Sequence, residues 1–572
     1  MNEQQRLQER ILVARGEAPA DLVLGGGRVV NLFTGEVEEV DVAVHDGVVA
    51  GLGAYQGRER VELRGAFLVP GFIDGHLHVE STLLGPAQLA RVLAPRGTSA
   101  LVADPHEIAN VLGLAGVRAM LTASAGLPLS FFFNAPSCVP ATPLETAGAR
   151  LEAAELASLL DHPRLLGLAE VMNFPGLVAG DPGVLAKVLA FAGRPIDGHA
   201  PLLSGPALNA YLAAGPESDH ECTQATEAAE KLRRGMWLMI REGTSAHNLA
   251  DLLPLVTPAS ERRCLLVSDD RHPDTLARQG HLDDLLRQAV ARGLDPLSAL
   301  RLVTLNPARR FGLARRGAVA PGWVADLVVL NDLKEFRVLA TYQAGRLVAA
   351  EGQCLHPCAT PFPDVARDTM RLGPLDLASF RVPAAGPRAR IIGLVPGQLL
   401  TEHLVEPTPQ KDGWLAADAR RDLARLTVIE RHTGSGRAAH GLVKGLGLES
   451  GALASSVSHD SHNLVVAGMD EQSMLTAAAR VRELGGGLVA AQDHRVLGEL
   501  PLPLAGLMSD LDLSRVLAGL EKLRAASAAI CAQPEPFMPL SFVCLPVIPH
   551  LKLTDQGLVD VDAFAPVELF PA

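Results

Sequence analysis

The feature that most constrains the fold is an alternation of apolar runs and helix-like stretches between residues 67 and 316. The apolar runs fit strands, and the stretches between them have helical spacing of charged and apolar positions. The apolar runs are FLVPGFID, TSALVAD, LSFFFNA, LLGLAEV, PIDGHA, the stretch ending in SDHE, WLMIRE and CLLVSDD. Eight strand–helix units over about 250 residues match the size and order of a (β/α)8 barrel. We therefore predict an α/β chain built around such a barrel.

The segments on both sides of the barrel share a different pattern. Residues 1–66 begin with an expected short helix and continue as short β runs broken by glycine, and residues 317–360 return to short β runs. We expect these two flanks to form one small β-sandwich domain. A proline-rich linker follows, so residues 361–572 are predicted to form a further α+β domain after the barrel of residues 67–316.

Composition argues against several kinds of partner. A net charge of −13 over 572 residues does not suit nucleic-acid binding, which needs a basic surface. No apolar run is long enough for a membrane span, and the opening residues lack the apolar core of a signal peptide. The 7 cysteines show no disulfide framework. We expect a cytoplasmic protein that binds neither nucleic acid nor membrane.

The strongest chemical signal is the pair His76 and His78, which follows the strand candidate FLVPGFID. Residues i and i+2 of an extended chain point to the same side, so the two imidazoles can converge on one metal ion. Barrel active sites lie at this end of the strands. The alternative is two polar turn residues.

Other strand candidates end in the same residue types, which favours the metal interpretation. The residues are Glu170, His199, His220 and Asp269. Imidazole and carboxylate ligands together suit zinc, manganese or ferrous iron better than a thiolate site would. Two divalent ions close together lower the pKa of a shared water and give hydroxide. We expect Asp269 to carry the proton to the leaving group, in hydrolysis of an amide or of an amidine-like ring carbon.

The segment ADPHEIAN after the second strand candidate allows two interpretations. His106 and Glu107 can be metal neighbours, a proton shuttle or substrate contacts. The same segment predicts a helix start capped by Asp104, with Glu107 three residues later. We expect both. In the following SDD segment, spacing does not decide between Asp269 and Asp270 as ligand, although Asp269 falls at the strand end.

Several segments together resemble the bacterial adenine deaminase family of the amidohydrolase superfamily. They include PGFIDGHLHVES, VADPHEIANVLG, NAPSCVPATPLE, SDHECT, MIREGTSAHNL, SDDRHPDTL, ERHTGSGRAAHGLVKG, SSVSHDSHN and PVIPHLKLTDQGLVDV. The similarity runs from about Asp21 to the end of the chain. It implies an amidohydrolase-type barrel that converts adenine and water to hypoxanthine and ammonia in purine salvage. It also implies two divalent ions per chain, manganese or ferrous iron, with zinc as an alternative, and a homo-oligomer that binds a purine base.

Carried over by position, the resemblance implies that Glu170 bridges two ions. His76, His78 and Asp269 would hold one ion. A second pair of histidines would hold the other ion. The expected metal ligands are His76, His78, Glu170, His199, His220 and Asp269. We assign catalysis to Asp269, Glu170, His106 and Glu107, and substrate contact to Asn134, Glu221 and Asp270.

Some details separate this chain from related barrels. The fourth strand candidate LLGLAEV has no lysine, which argues against the dihydroorotase and hydantoinase families. Arg96 stands where the resembled family leads us to expect histidine. The aromatic run at residues 131–133 can stack on a purine but is more typical of barrel core.

Polar residues also gather among apolar ones in the last domain. They are His432, His459, Asp460 and His462. A second metal site, a lid over the barrel mouth and a hydrogen-bonded turn network are all open, and the network is favoured. For the whole chain, the alternatives are another cyclic amide or amidine hydrolase and a non-catalytic scaffold. The scaffold is disfavoured because every expected ligand is present.

Overall fold

The computed structural model describes residues 2–244, 246–396 and 398–571. It opens with helix α1 (Glu3–Ala14), and the side chain of Asn2 caps this helix by accepting a hydrogen bond from the Gln5 N–H at 2.9 Å. The first flank then forms β1 (Ala20–Gly25), β2 (Arg28–Asn31), β3 (Glu36–Glu39), β4 (Val42–His45), β5 (Val48–Leu52), β6 (Gly57–Glu62) and β7 (Phe67–Pro70). Over the described ranges, we find no helix with the length and apolar character needed to cross a bilayer.

The centre of the chain is a ring of parallel strands. They are β8 (Phe72–Leu77), β9 (Thr98–Ala103), β10 (Ser130–Ala135), β11 (Leu165–Val171), β12 (Ile196–Gly198), β13 (Ser218–Asp219), β14 (Trp237–Arg241) and β15 (Cys264–Val267). Strands β8 to β12 pair in order, and so do β13 to β15. The Glu217 N–H donates to the Ile196 carbonyl at 3.0 Å, and the Asp269 N–H donates to the His76 carbonyl at 3.1 Å. These bonds close the ring, so the predicted (β/α)8 barrel is confirmed.

Helices surround the barrel and carry its outer packing. They are α2 (Pro86–Leu93), α3 (His106–Leu112), α4 (Leu114–Ala123), α5 (Ala153–Ala157), α6 (Phe174–Ala179), α7 (Pro182–Ala190), α8 (Gly205–Ala214), α9 (Ala225–Arg233), α10 (Leu249–Leu252), α11 (Pro273–Arg278), α12 (Leu282–Ala291), α13 (Pro296–Leu302) and α14 (Leu305–Arg310). Helix α2 shows why they pack: Leu89, Ala90 and Leu93 recur at helical spacing and are fully buried.

The run FLVPGFID is two strands and not one. We predicted it as the first barrel strand, but β7 pairs with β2 and with a strand from the second flank, outside the barrel. The break lies at Gly71, whose N–H donates to the Asp326 carbonyl at 2.8 Å. A Cβ at Gly71 would meet Ser99 Oγ at 2.3 Å, so only glycine fits this crossing. The barrel strand begins at Phe72.

The two flanks share sheets. The second flank forms β16 (Leu327–Leu330), β17 (Val338–Gln343), β18 (Arg346–Ala350) and β19 (Gln353–Cys354). One sheet has the order β19-β18-β17-β16-β7-β2-β3, and another has the order β5-β4-β1-β6. Leu24 and Val44 from the first flank lie in the same buried cluster as Leu327 and Val329 from the second. The flanking sheets therefore enclose a common core.

The described residues of the last part of the chain form a sheet-rich unit with three α-helices. Its strands are β20 (Arg388–Leu394), β21 (Thr401–Pro407), β22 (Gln410–Lys411), β23 (Trp414–Leu415), β24 (Leu423–Ile429), β25 (Ala438–Lys444), β26 (Ala452–Ser455), β27 (Leu464–Gly468), β28 (Gly487–Gln492), β29 (Arg495–Pro501), β30 (Leu551–Thr554), β31 (Gly557–Asp560) and β32 (Ala565–Val567). Its helices are α15 (Glu471–Glu483), α16 (Leu513–Ser527) and α17 (Phe537–Phe542). The main sheet has the order β21-β20-β25-β24-β27-β26-β28-β29. The predicted additional α+β domain is thus present.

This C-terminal unit packs directly on the barrel. Leu77 and Ile108 of the barrel belong to one continuous buried cluster with Leu446, Leu504 and Leu551 of the C-terminal unit. Burial of apolar surface is the main favourable contribution to such an interface. The barrel end that carries the predicted ligands is therefore covered by protein.

Candidate active site

The two histidines of the HLH motif lie side by side at the end of β8. Every residue of β8 is buried, so the alternation of an extended chain places both imidazoles inside the barrel mouth. The rings of His76 and His78 meet edge to face with centroids 5.0 Å apart. Behind them, His78 Nδ1 lies 3.2 Å from the Asp104 carbonyl oxygen, which fixes the ring and leaves Nε2 facing the site.

Glu170, near the end of β11, stands between two pairs of imidazoles. Its Oε1 lies 3.3 Å from His76 Nε2 and 3.1 Å from His78 Nε2. Its Oε2 lies 2.8 Å from His199 Nδ1 and 3.4 Å from His220 Nε2. The two oxygens of one carboxylate thus face two separate ligand sets.

Asp269 follows β15 and completes the first set. Its Oδ1 lies 3.4 Å from His76 Nε2 and 3.3 Å from His78 Nε2. A left-handed backbone at Asp269, with φ of 53°, turns the chain so that the side chain enters the barrel mouth. The neighbouring Asp270 instead accepts a hydrogen bond from the hydroxyl of Ser81.

The chemistry of this donor set fits divalent cations. His76 Nε2 and Glu170 Oε1 are buried without a hydrogen-bond partner, a costly state for polar atoms unless a ligand engages them. The ligand atoms of His76, His78 and Asp269 lie within 4.8 Å of one another, and so do those of His76, Glu170 and His220. Mixed imidazole and carboxylate donors suit zinc, manganese or ferrous iron.

Both carboxylates of the cluster are held as anions. Burial alone would raise the pKa of Glu170, but the charge of His220 and hydrogen bonds from neighbouring imidazoles hold that pKa well below its usual range. Burial also acts against ionisation of Asp269, but the nearby imidazoles of His76 and His78 and the charge of Arg241 outweigh it and hold its pKa well below the usual range. Deprotonated carboxylates are the form that binds metal.

Arg241, at the end of β14, is a functional candidate that the sequence analysis missed. Its Nη1 donates to Asp269 Oδ2 at 2.9 Å, and its Nη2 donates to Glu221 Oε2 at 2.9 Å. Glu221 Oε1 lies 3.5 Å from His220 Nε2. The predicted substrate contact Glu221 is therefore engaged by an arginine that also orients Asp269. Two signals were available for Arg241: its place at a strand end, which is common for arginine, and its place in the family-like segment MIREGTSAHNL.

The expected helix cap by Asp104 is wrong. Helix α3 begins at His106 after Pro105, which offers no side-chain cap. The Ile108 N–H of its first turn donates instead to Glu80 Oε1 at 3.1 Å. Asp104 Oδ2 instead lies 3.0 Å from His106 Nδ1, so its carboxylate is used to orient that imidazole. The ring of His106 packs against that of His78, with centroids 4.8 Å apart. His106 thus adjoins the candidate ligand cluster, and its Nε2 lies 3.4 Å from Glu107 Oε1.

Asn134, at the end of β10, lies inside the barrel. Its Nδ2 donates to Asp197 Oδ2 at 2.7 Å, while its Oδ1 has no hydrogen-bond partner. Phe131 and Phe133 are buried in the apolar core, in agreement with the preference for barrel packing over substrate stacking. Arg96, the departure from the resembled family, precedes β9 and donates to the Ala277 carbonyl at 3.2 Å.

The polar residues of the C-terminal unit form a turn network, and this network also reaches the barrel. His432 Nε2 lies 2.8 Å from the Ser461 carbonyl oxygen, as the preferred prediction of a network requires. His459 Nδ1 lies 2.9 Å from Glu107 Oε1, and His462 Nε2 contacts the other oxygen of Glu107. Sequence periodicity carries no signal for such a contact between distant segments.

The protein combines a barrel, flanking β sheets and a His/Glu/Asp cluster at the carboxyl ends of the strands. This combination defines a class of hydrolase, the amidohydrolases. A comparison with protein families agrees, because the Amidohydrolase family matches residues 67–348. The Adenine deaminase C-terminal domain matches residues 398–565.

Relatives that match over the full length show which family within this class the chain resembles. Adenine deaminase 2 of Carboxydothermus hydrogenoformans is 48% identical over 98% of this chain and 99% of its own length. The adenine deaminase of Oleidesulfovibrio alaskensis is 49% identical over 98% of both chains. That of Desulfatibacillum aliphaticivorans is 48% identical over 98% of this chain and 99% of its own. The chain belongs to the adenine deaminase family.

Proposed function

We propose that this protein hydrolyses adenine to hypoxanthine and ammonia. The observation that carries the proposal is the position of Glu170, whose two oxygens face separate histidine pairs. Such an arrangement suits a pair of divalent ions bridged by one carboxylate. The names of the full-length relatives support adenine as the substrate.

The residues present would hold two ions. His76, His78 and Asp269 would hold one, and a second pair of imidazoles the other, with Glu170 between them. That second pair is His199 and His220. When bound, such ions acidify water at neutral pH and polarise the carbon that water attacks. Manganese or ferrous iron is our proposal for the ions, with zinc as the alternative.

Two proton movements accompany the exchange of an amino group for oxygen at a purine carbon. One proton must leave the attacking water and reach the departing amine, and the Asp269 carboxylate is our candidate to carry it. Arg241 supports this role because it holds Oδ2 at 2.9 Å and so fixes the carboxylate. A second proton must reach the purine ring, and His106 and Glu107 beside His78 are our candidates for that step.

The test is ammonia release from adenine by protein reconstituted with Mn²⁺ or Fe²⁺. Adenosine serves as a parallel substrate for ammonia release. Dihydroorotate and hydantoin are followed by ring opening instead, because hydrolysis of a cyclic amide releases no ammonia. We expect ammonia from adenine and no ring opening of the two cyclic amides. Metal-loaded protein that releases no ammonia from adenine would overturn the proposed substrate, and turnover of a cyclic amide would move the assignment to another amidohydrolase reaction.

A further inference from the structure

The C-terminal unit covers the carboxyl end of the barrel. Several loops that follow barrel strands are bonded to it. Leu83 O accepts from Ser509 N–H at 2.8 Å, Asp555 Oδ1 accepts from Thr146 N–H at 2.8 Å, and Asp274 Oδ2 accepts from Arg524 Nη2 at 2.7 Å. Substrates reach barrel enzymes through this end. The unit therefore forms part of the wall that a substrate meets.

One segment of the unit extends into the barrel mouth. We name residues 456–463, between β26 and β27, the 456–463 loop. His459 Nδ1 lies 2.9 Å from Glu107 Oε1, and His462 Nε2 contacts Glu107 Oε2. Glu107 is 2% exposed, so two imidazoles from another part of the chain satisfy a buried carboxylate of the barrel.

The hydrogen bonds favour a structural role for this contact, although Glu107, His459 and His462 also have the spacing of a metal-binding group. The Ser458 N–H donates to His462 Nδ1 at 3.1 Å, so a neutral His462 carries its proton on Nε2 and donates it to Glu107. Burial lowers the pKa of His462 to about 4, which keeps the ring neutral. A nitrogen that carries a proton has no lone pair for a cation. The two histidines therefore fix Glu107 and the loop relative to each other.

Between these histidines, Asp460 presents a buried carboxylate with a free acceptor. Its side chain is 3% exposed, and its Oδ2 has no hydrogen-bond partner. Its Oδ1 lies 3.9 Å from His106 Nε2, beside the ligand cluster. Burial raises the pKa of Asp460 to about 6, with contributions from the charges of Glu107 and Glu170. An unsatisfied acceptor in this position is free to accept from a donor outside the protein, either a ligand or an ordered water.

We propose that the 456–463 loop completes the substrate site and that Asp460 accepts a hydrogen bond from an N–H group of the purine. This inference rests on the proposed function. Free purine bases carry N–H groups on the ring, and adenine has an exocyclic amino group as well. A site built to bond an N–H discriminates strongly, because loss of the bond leaves a buried acceptor unpaired. The C-terminal unit thereby contributes directly to substrate recognition.

The test compares Asp460→Ala, Asp460→Asn and the wild type as metal-loaded full-length proteins. We expect kcat/KM for adenine to fall by about tenfold or more in Asp460→Ala, mostly through KM, since a hydrogen bond to a charged group is lost. Asp460→Asn keeps an oxygen acceptor and should lie between the two. Asp412→Asn, at an exposed turn of the same unit, is the matched control. Metal content and Tm should stay at wild-type values in every variant.

Each outcome has a separate meaning. If the wild type deaminates adenine and both Asp460 variants keep kcat/KM within twofold, the inference is overturned. Loss of metal from Asp460→Ala would also overturn it, because the residue would then act as a ligand. A wild type that does not deaminate adenine refutes the proposed function alone. Calorimetric titration with hypoxanthine then decides the inference: weaker binding to Asp460→Ala supports it, and equal binding or no binding to either protein overturns it.

Discussion

A carboxylate has two oxygens, and at Glu170 each of them faces a different pair of imidazoles. This division follows from the place of Glu170 on β11, with His76 and His78 on one side and His199 and His220 on the other. A neutral amide of the same shape has one oxygen and one N–H group, so it cannot serve both sides.

Glu170→Gln should therefore lose metal and activity together. We expect fewer than two tightly bound ions per chain and a loss of at least about a hundredfold in kcat/KM for adenine. Elemental analysis of the purified protein and an ammonia assay measure these effects. Glu449→Gln, an exposed site, is the matched control. Two retained ions with a normal rate would contradict the bridging role.

Neighbouring aspartates allow a direct comparison of two positions. Asp269→Asn should lower metal content and kcat, because Asp269 Oδ1 faces His76 and His78 at 3.4 and 3.3 Å. We expect kcat to fall by about a thousandfold or more, with a smaller change in KM. Asp270→Asn, whose carboxylate contacts Ser81, should keep its metal. The reverse result, with metal lost only from Asp270→Asn, would exchange their roles.

The sequence predicted which candidate ligands gather at the barrel mouth but not which residues support them. His76, Glu170 and Asp269 are polar residues where apolar strands end, a pattern that is visible without coordinates. Arg241 joins Asp269 to Glu221, and that contact depends on which side chains face each other across the barrel mouth. Arginine is common at the ends of strands, so the residue type alone does not indicate a functional role for Arg241.

At the scale of elements, the alternation of eight strands with helices was predictable from the sequence, but one strand boundary was not. FLVPGFID is a single apolar run in the sequence, and the break at Gly71 arises from a hydrogen bond to Asp326 of the second flank. The cap of α3 failed for a similar reason. Asp104 has the right residue type for a cap, but His106 engages its carboxylate. Both errors come from tertiary partners that override a local pattern.

Helix α15 provides a test of local stabilisation away from the site. The Ser473 N–H donates to Asp470 Oδ1 at 2.8 Å, which caps the first turn. Asp470→Ala should lower the free energy of unfolding by about 1 kcal/mol, and Asp470→Ser should restore most of it. Chemical denaturation measures both. Adenine deamination should be unchanged, and an unchanged stability of Asp470→Ala would show that the cap contributes nothing.

At the scale of the whole molecule, we expect metal binding and folding to be coupled. The proposed ligands come from several barrel strands, so the unfolded chain does not bring them together. Removal of metal with a chelator should lower both Tm and activity. The free energy of unfolding should fall by about 4 kcal/mol if the free ion is normally a thousandfold above its Kd. Readdition of Mn²⁺ should restore both. A Tm that is insensitive to chelation would contradict the buried centre.

Stability should also depend on pH through Lys552. Burial lowers the pKa of Lys552 to about 7, and its Nζ donates to the carbonyls of Leu399 and Phe542 at 3.1 and 3.0 Å. Above its folded pKa the buried amine is neutral, while the unfolded chain still binds the proton up to about pH 10.4. The contribution of Lys552 to stability should therefore rise with pH, by about 2 kcal/mol from pH 7 to pH 9. Below pH 7 the full cost of burying the charge is present.

Lys552→Met is the variant that tests this dependence. It should be more stable than the wild type at pH 7, and its stability should lack the rise toward pH 9. Thermal denaturation of both proteins across this pH range measures the difference. If stability changes with pH in the same way in both proteins, Lys552 is not the source of the pH dependence.

The resemblance in sequence indicated that a C-terminal unit exists but not where it lies. Its position over the barrel mouth depends on contacts such as Glu107 with His459 and His462, between segments far apart in the chain. Periodicity describes local structure and contains no information on docking.

The shared sheets of the flanks have a consequence for the order of events during synthesis. Strands β2 and β7 leave the ribosome before any of the barrel, but β16, which pairs with β7, is made only after all of it. Until then the β7 edge is open, and open strand edges promote association between nascent chains. Completion of the small sheet therefore waits for the barrel, and its final pairing joins the first and last parts of that folding unit.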